Sequence, residues 1–218
     1  MEFHYKVVLQ NYPLLIDGFW ITVQVTLIAL TIGILFGAAI CAMRLSGARG
    51  LDRIAAAYIV FFRATPEMVL IFWGYFCLPL IFQLRVSGLW TGSIALGLVT
   101  AAYLAEIFRA GINAVPQGEV EAATALGLKF SPKWRFVILP QAMRLMVPPL
   151  VNYFTELLKN TTLLSGIGVA ELALQAYLLG GQTFRYVEFL SAIALIYFAI
   201  IFPLSLLSRR LEHREVHR

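Results

Sequence analysis

Five apolar stretches, each long enough to cross a bilayer, dominate this sequence: 19–43, 55–84, 88–108, 147–164 and 189–207. A hydrocarbon core about 30 Å thick is crossed by roughly 20 apolar residues in a helix. Inside it the backbone has no water to bond to and must satisfy its own hydrogen bonds, as a helix does. The expectation is an all-α integral membrane protein with five transmembrane helices, forming a single domain over residues 1–218. The mean hydropathy of +0.81, with 13% charged residues, leaves no stretch from which a second, water-soluble domain could be built. The first stretch is too long for a signal-peptide core and follows a mixed-charge leader, so it reads as an uncleaved span.

A net charge of +5 would suit a nucleic-acid partner, but the basic residues fall beside the apolar stretches and follow topology instead. Arg44, Arg49, Arg53 and Arg63 follow the first stretch; Arg109, Lys129, Lys133, Arg135 and Arg144 surround residues 113–146; Arg209, Arg210, Arg214 and Arg218 end the chain. Placing all three clusters in the cytoplasm puts the N-terminus outside and the C-terminus inside, as an odd number of spans requires.

Two features interrupt the apolar pattern. In Arg63-Ala-Thr-Pro-Glu67, Pro66 disfavours helical geometry at Thr65, so the second stretch is expected to break or re-enter there. Arg63 reads as a snorkelling helix entry or as a substrate contact. In the first stretch, Gly33 and Gly37 form a small-residue pair that suits close helix packing, here within one subunit. Cys41 and Cys77 lie inside apolar stretches and read as packing residues, not as a disulfide.

Residues 121–140, EAATALGLKFSPKWRFVILP, form a polar and basic island between two spans. Pro116 to Leu126 reads as a short helix that Gly127 ends as a C′ glycine. A second helix is expected to open with Ser131 as N-cap and Pro132 at its first position, running toward Leu139-Pro140. The spacing of Glu121-Ala122-Ala123, Gly127, Val137 and Leu139-Pro140 resembles the EAA loop of bacterial ABC importer permeases. The flanking segments AYLAEIFRAGINAVPQGEVEAATALG, LPQAMRLMVPPLVNYF and LLKNTTL resemble the polar amino-acid subfamily, from FRATP at Phe62 to GVAEL at Gly168. The segment FRATPEMV departs from the resemblance, because Gly is more usual at Ala64 and an apolar residue at Glu67.

The resemblance implies a type I importer permease fold in the bacterial inner (cytoplasmic) membrane. It implies a pair of permease chains, either two copies or a copy with a homologous sister, bound to two ATPase subunits and fed by an extracytoplasmic solute-binding protein. ATP and Mg would sit in the ATPases, with no cofactor in this chain. Glu121, Ala122, Ala123, Leu126 and Gly127 would form the ATPase-coupling helix.

Along the fourth stretch, at about 100° per residue, Asn152, Thr155, Glu156 and Lys159 share one arc, and Asn160 follows at its end. A charge facing lipid at mid-span costs about 2.5–3.5 kcal/mol on insertion scales, so this arc should face a cavity or a partner helix. Glu156 and Lys159 read either as an internal ion pair or as part of a substrate pathway with the other three. Glu106 and Arg109 read as a solvated structural pair. Tyr103 reads as an inward or an interfacial aromatic.

There is no G-x-x-x-x-G-K-[ST] phosphate loop, so ATP is not expected to bind here. His4, His213 and His217 lie in the tails, which leaves no histidine within a span to act as a zinc ligand or to activate Ser165. A membrane enzyme therefore lacks a catalytic set, and an ion-coupled carrier or channel has no evident use for the island.

Overall fold

The longest helix carries one of the two most apolar stretches. The computed structural model describes residues 5–83 and 86–216. Leu84, Arg85, His4, His217 and Arg218 lie outside the described residues, as do the side chains of His213 and Arg214. After a short helix α1 (Lys6–Gln10), helix α2 (Tyr12–Leu45) has 34 residues, about 51 Å at 1.5 Å per residue. Its length is used against α6 (Gly88–Asn113), with which it forms the main seam of the molecule.

That seam is closed at the two glycines. A Cβ added at Gly33 would lie 2.2 Å from Thr100 Cγ2, and one at Gly37 would lie 3.1 Å from the Ala101 carbonyl oxygen. The small-residue pair therefore seats α6 of the same chain. Val25, Ala29, Leu96 and Leu157 form the buried centre beside it.

The second stretch is broken at the expected place. Helix α3 (Arg49–Ala64) ends at Thr65, whose backbone is extended (φ −88°, ψ 132°), and Pro66 precedes α4 (Glu67–Phe72). The chain bends by 100° there before continuing through a π-helical turn (Trp73–Cys77) into α5 (Leu78–Phe82).

In the island, α7 (Gln117–Ala125) stops at Leu126, and Gly127 takes φ +75°. The Gly127 N–H donates to Thr124 O (2.9 Å) and the Leu128 N–H to Ala123 O (3.1 Å), the double bond pattern of a Schellman stop. The second island helix departs from expectation twice. Its N-cap is Lys129, extended at φ −66° and ψ 169°, and not Ser131, so α8 runs Phe130–Lys133 with Pro132 third. Proline is accommodated there because the first-turn N–H groups lack helical acceptors. Nor does the helix end at Leu139-Pro140: a π-helical turn (Trp134–Ile138) carries it directly into α9 (Leu139–Asn160).

Both π turns occupy the same local pattern, Trp, four residues, Leu-Pro, at 73–79 and 134–140. A proline in a helix interior clashes with the carbonyl four residues back. The extra residue of a π turn just ahead of Pro79 and Pro140 widens the helix where that clash would fall.

Beyond α9, a 3₁₀ segment (Thr161–Ile167) and Gly168 at φ +77° lead to α10 (Leu172–Thr183), which is capped by the Glu171 carboxylate accepting from Ala173 N and Leu174 N. Helix α11 (Tyr186–Val216) follows. Among the described residues three helices are long and apolar enough to cross a membrane alone, α2, α6 and residues Tyr186–Leu211 of α11, or up to five spans if each of two bent pairs counts as one.

Candidate functional site

The island presents apolar side chains on an otherwise polar surface. Ala123 is buried and Val120 packs against the cluster of Val115, Ile138, Ala142 and Met146, which ties α7 back onto α6 and α9. Glu119 accepts a hydrogen bond from the Gln141 amide, and Lys133 Nζ donates to Thr124 Oγ1 at 3.2 Å. With one face held in this way, the other is free: Glu121 and Ala122 are exposed, Leu126 is 81% exposed and Phe130 74%. Exposed leucine and phenylalanine on a short, firmly anchored helix-turn-helix is the pattern of a surface awaiting a partner.

The polar arc of α9 lies on the same continuous helix, further from the island. Asn152, Glu156 and Lys159 are exposed, and Lys159 Nζ donates to Glu156 Oε2 at 2.6 Å. Asn160 is half-buried at the end of the helix. Thr155 is covered: it is only 7% exposed and its hydroxyl donates to Asn152 O at 2.7 Å. At about 100° per residue it stands a quarter-turn from Glu156, at the edge of the arc, and that edge is covered.

Beside the arc runs a chain of aromatic contacts that pattern reading did not assemble. The Arg63 guanidinium lies 5.0 Å from the Tyr103 ring centroid, a cation–π distance. Tyr103 stacks on Tyr153 with centroids 5.0 Å apart, and the Tyr153 hydroxyl donates to Thr100 Oγ1 at 3.3 Å. Tyr103 thus faces inward. Arg63, Tyr103 and Tyr153 come from three separate helices, and the available signal was only that each is a polar or aromatic residue near a span.

At the end of α6 nearest the island, Arg109 Nη2 pairs with Glu106 Oε2 at 2.7 Å, as expected for those two. Arg44 joins them at 3.9 Å from Glu106 and also pairs with Asp52, locking the ends of α2, α3 and α6 together. Among the described residues no cluster of three or more His, Cys, Asp or Glu side chains is arranged to hold a metal.

A helical protein with three to five candidate membrane spans is what this architecture defines, and comparison with known proteins assigns it a family. Residues 29–217 match the family described as binding-protein-dependent transport system inner membrane component. The chain is 35% identical over 96% of its length to a probable glutamine ABC transporter permease protein of Bacillus subtilis (strain 168), covering 96% of that protein. It is 31% identical to an arginine transport system permease protein of the same organism, over 98% of each chain. A crystal structure of an amino acid ABC transporter with histidines superposes with a TM-score of 0.89 at 36% identity, over 98% of this chain and 100% of that one. An inward-facing methionine ABC transporter, at 21% identity and a TM-score of 0.70 over 93% and 98% of the two chains, shares the fold. The chain belongs to the binding-protein-dependent transport system inner membrane component family, and it is a permease component of an ABC importer.

Proposed function

We propose that this chain forms the translocation pathway for polar amino acids or their derivatives, paired with a second copy or a homologous sister chain, in a bacterial inner membrane. The names of the relatives, glutamine and arginine permeases, support that class of cargo. Two ATPase subunits holding ATP and Mg supply the energy, and an extracytoplasmic solute-binding protein delivers the substrate. Hydrolysis belongs to the ATPase, so this chain acts as a conduit and not as an enzyme.

The observation that carries the reading is the unbroken helical path from 130 to 160, through α8, the π turn and α9. One end bears the exposed Leu126 and Phe130 of the coupling surface; the other bears Asn152, Glu156, Lys159 and Asn160 of the substrate pathway. Glu121, Ala122, Ala123, Leu126 and Gly127 dock in the ATPase, and its closure on ATP moves the helix that lines the path. Thr155 supports the arc from its covered edge.

Five spans give the required topology: α2, the bent α3–α5 pair, α6, the bent helix that begins at Phe130, and α11. The N-terminus lies outside and the C-terminus inside. Reporter fusions after Arg49, Gly127 and Arg214 all report cytoplasm; an outside signal at Gly127 would remove the ATPase from reach and end the proposal.

The pathway assignment is tested in vesicles containing the full complex and its binding protein. Glu156→Gln, Lys159→Met and the double variant each lower uptake while assembly and ATP hydrolysis persist. Near-normal uptake in the double variant would reassign the two residues to an ion pair without substrate contact. Flux through the permease pair alone, without ATPase or binding protein, would make it a carrier or channel.

A further inference from the structure

Arg63 stands in the last turn of α3 with its charge unpaired. Among the described residues its guanidinium makes no hydrogen bond and no ion pair. The carboxylates around it are engaged elsewhere. Glu106, one turn beyond Tyr103 on α6, is held by Arg109 Nε at 3.1 Å and Nη2 at 2.7 Å, with Arg44 at 3.9 Å. Asp52 pairs with Arg44, and Glu156 with Lys159. Glu67 lies past the bend, and its buried Oε2 bonds to nothing among the described residues. A charged side chain beside a span, with its donors unused, points to a ligand.

The guanidinium is also aimed. A snorkelling arginine extends away from the protein toward the headgroups. This one lies 5.0 Å from the centroid of Tyr103, whose ring stacks at 5.0 Å on Tyr153 of α9. The ring limits where the guanidinium points and leaves its N–H groups free, so the fork that grips a carboxylate with two hydrogen bonds remains available. Tyr153 precedes Glu156 by three residues, about 60° round the helix and about 4.5 Å along it, on the opposite side of the arc from Thr155. The row Arg63–Tyr103–Tyr153 therefore meets the charged arc at its island-side edge. Lys159, the cation of that arc, is already matched by Glu156 at 2.6 Å, whereas Arg63 has donors to spare.

We propose that Arg63 is a substrate-binding residue whose guanidinium receives the α-carboxylate of the amino acid on the island side of the charged arc. Tyr103 is the positioning residue that holds the guanidinium there. This rests on the pathway reading above and adds a second station to it. The α-carboxylate is the one anionic group that every amino acid carries, so the station serves cargo of any side chain.

The test uses the purified permease–ATPase complex in nanodiscs, with the binding protein omitted so that the preference read is the permease's own. Radiolabelled glutamine and arginine are competed by the unlabelled amino acids and by their α-amides, which keep the ammonium and the side chain and lose the carboxylate. Wild type prefers the free acid. Arg63→Gln weakens the free acid by about tenfold or more and leaves the amide unchanged, so the acid-to-amide affinity ratio falls toward one. Arg63→Lys keeps the charge without the fork and gives an intermediate ratio, which decides the matter if the Gln variant misfolds and loses both ligands. A residue that only snorkels, binds a lipid phosphate or staples α3 to α6 shifts acid and amide alike or shifts neither. An unchanged ratio in either variant therefore overturns the proposal, as does a wild type that binds neither amino acid or does not favour it over its amide. ATP-driven uptake by the wild-type complex with its binding protein separates the two levels. If uptake of any amino acid is present, only the Arg63 assignment falls; if it is absent for every amino acid, the pathway reading falls with it.

Discussion

Gly127→Asp leaves the chain inserted in the membrane and abolishes uptake. Gly127 sits at φ +75° with nothing within 4 Å of an added Cβ, so no clash opposes a side chain there. The backbone cost for a non-glycine residue in this left-handed conformation is about 1 kcal/mol. That is too little to unfold an island anchored through Val120, Ala123 and Glu119. The loss arises instead at the surface. The new carboxylate projects beside Leu126, where the ATPase is proposed to close, and a buried charge without a partner is strongly unfavourable in an interface. Gly127→Ala, which carries only the backbone cost, retains part of the activity. Uptake in vesicles, co-purification of the ATPase and protease accessibility of the island provide the readouts. Wild-type uptake by an inserted Gly127→Asp protein contradicts the coupling role.

Gly33→Val produces the largest loss of stability. Its first side-chain carbon would lie 2.2 Å from Thr100 Cγ2 and 2.8 Å from Thr100 Cβ, so α2 and α6 must separate. Overpacking of this kind costs about 1–3 kcal/mol, and more where backbone must move. The damage also spreads to the polar arc, because the Thr100 hydroxyl donates to Leu96 O (2.7 Å) and accepts from Tyr153, which stacks on Tyr103. We expect a clear fall in the thermal unfolding midpoint of the detergent-solubilised protein, with a smaller one for Gly37→Ala, whose nearest contacts are 3.1–3.3 Å. A native midpoint in Gly33→Val would mean that the seam is not held by close approach.

What pattern reading reached follows from which interactions are local. The stop at Gly127 depends on bonds spanning six residues, and the bend at Thr65–Pro66 on one proline ring, so both are written in neighbouring letters. The arc of Asn152, Glu156 and Lys159 follows from helix periodicity alone. Periodicity gives the angle of Thr155 on the helix and not what covers it. The Arg63–Tyr103–Tyr153 chain depends on how separate helices pack, for which a single sequence carries no period. The continuation through Pro140 was hidden for a different reason. Leu-Pro ordinarily marks a helix boundary, and only the geometry of the preceding turn shows that the ring has been given room.

The turn at Trp134–Ile138 also sets a phase. A π turn holds one more residue than an α turn, so everything beyond it is rotated by about 100° relative to an uninterrupted α-helix. A helical wheel drawn from Phe130 onward would therefore put the arc of Glu156 and Lys159 about a quarter-turn from its true azimuth with respect to the island. The direction in which the coupling end leans, and the direction in which the charged arc looks, are related by that single inserted residue.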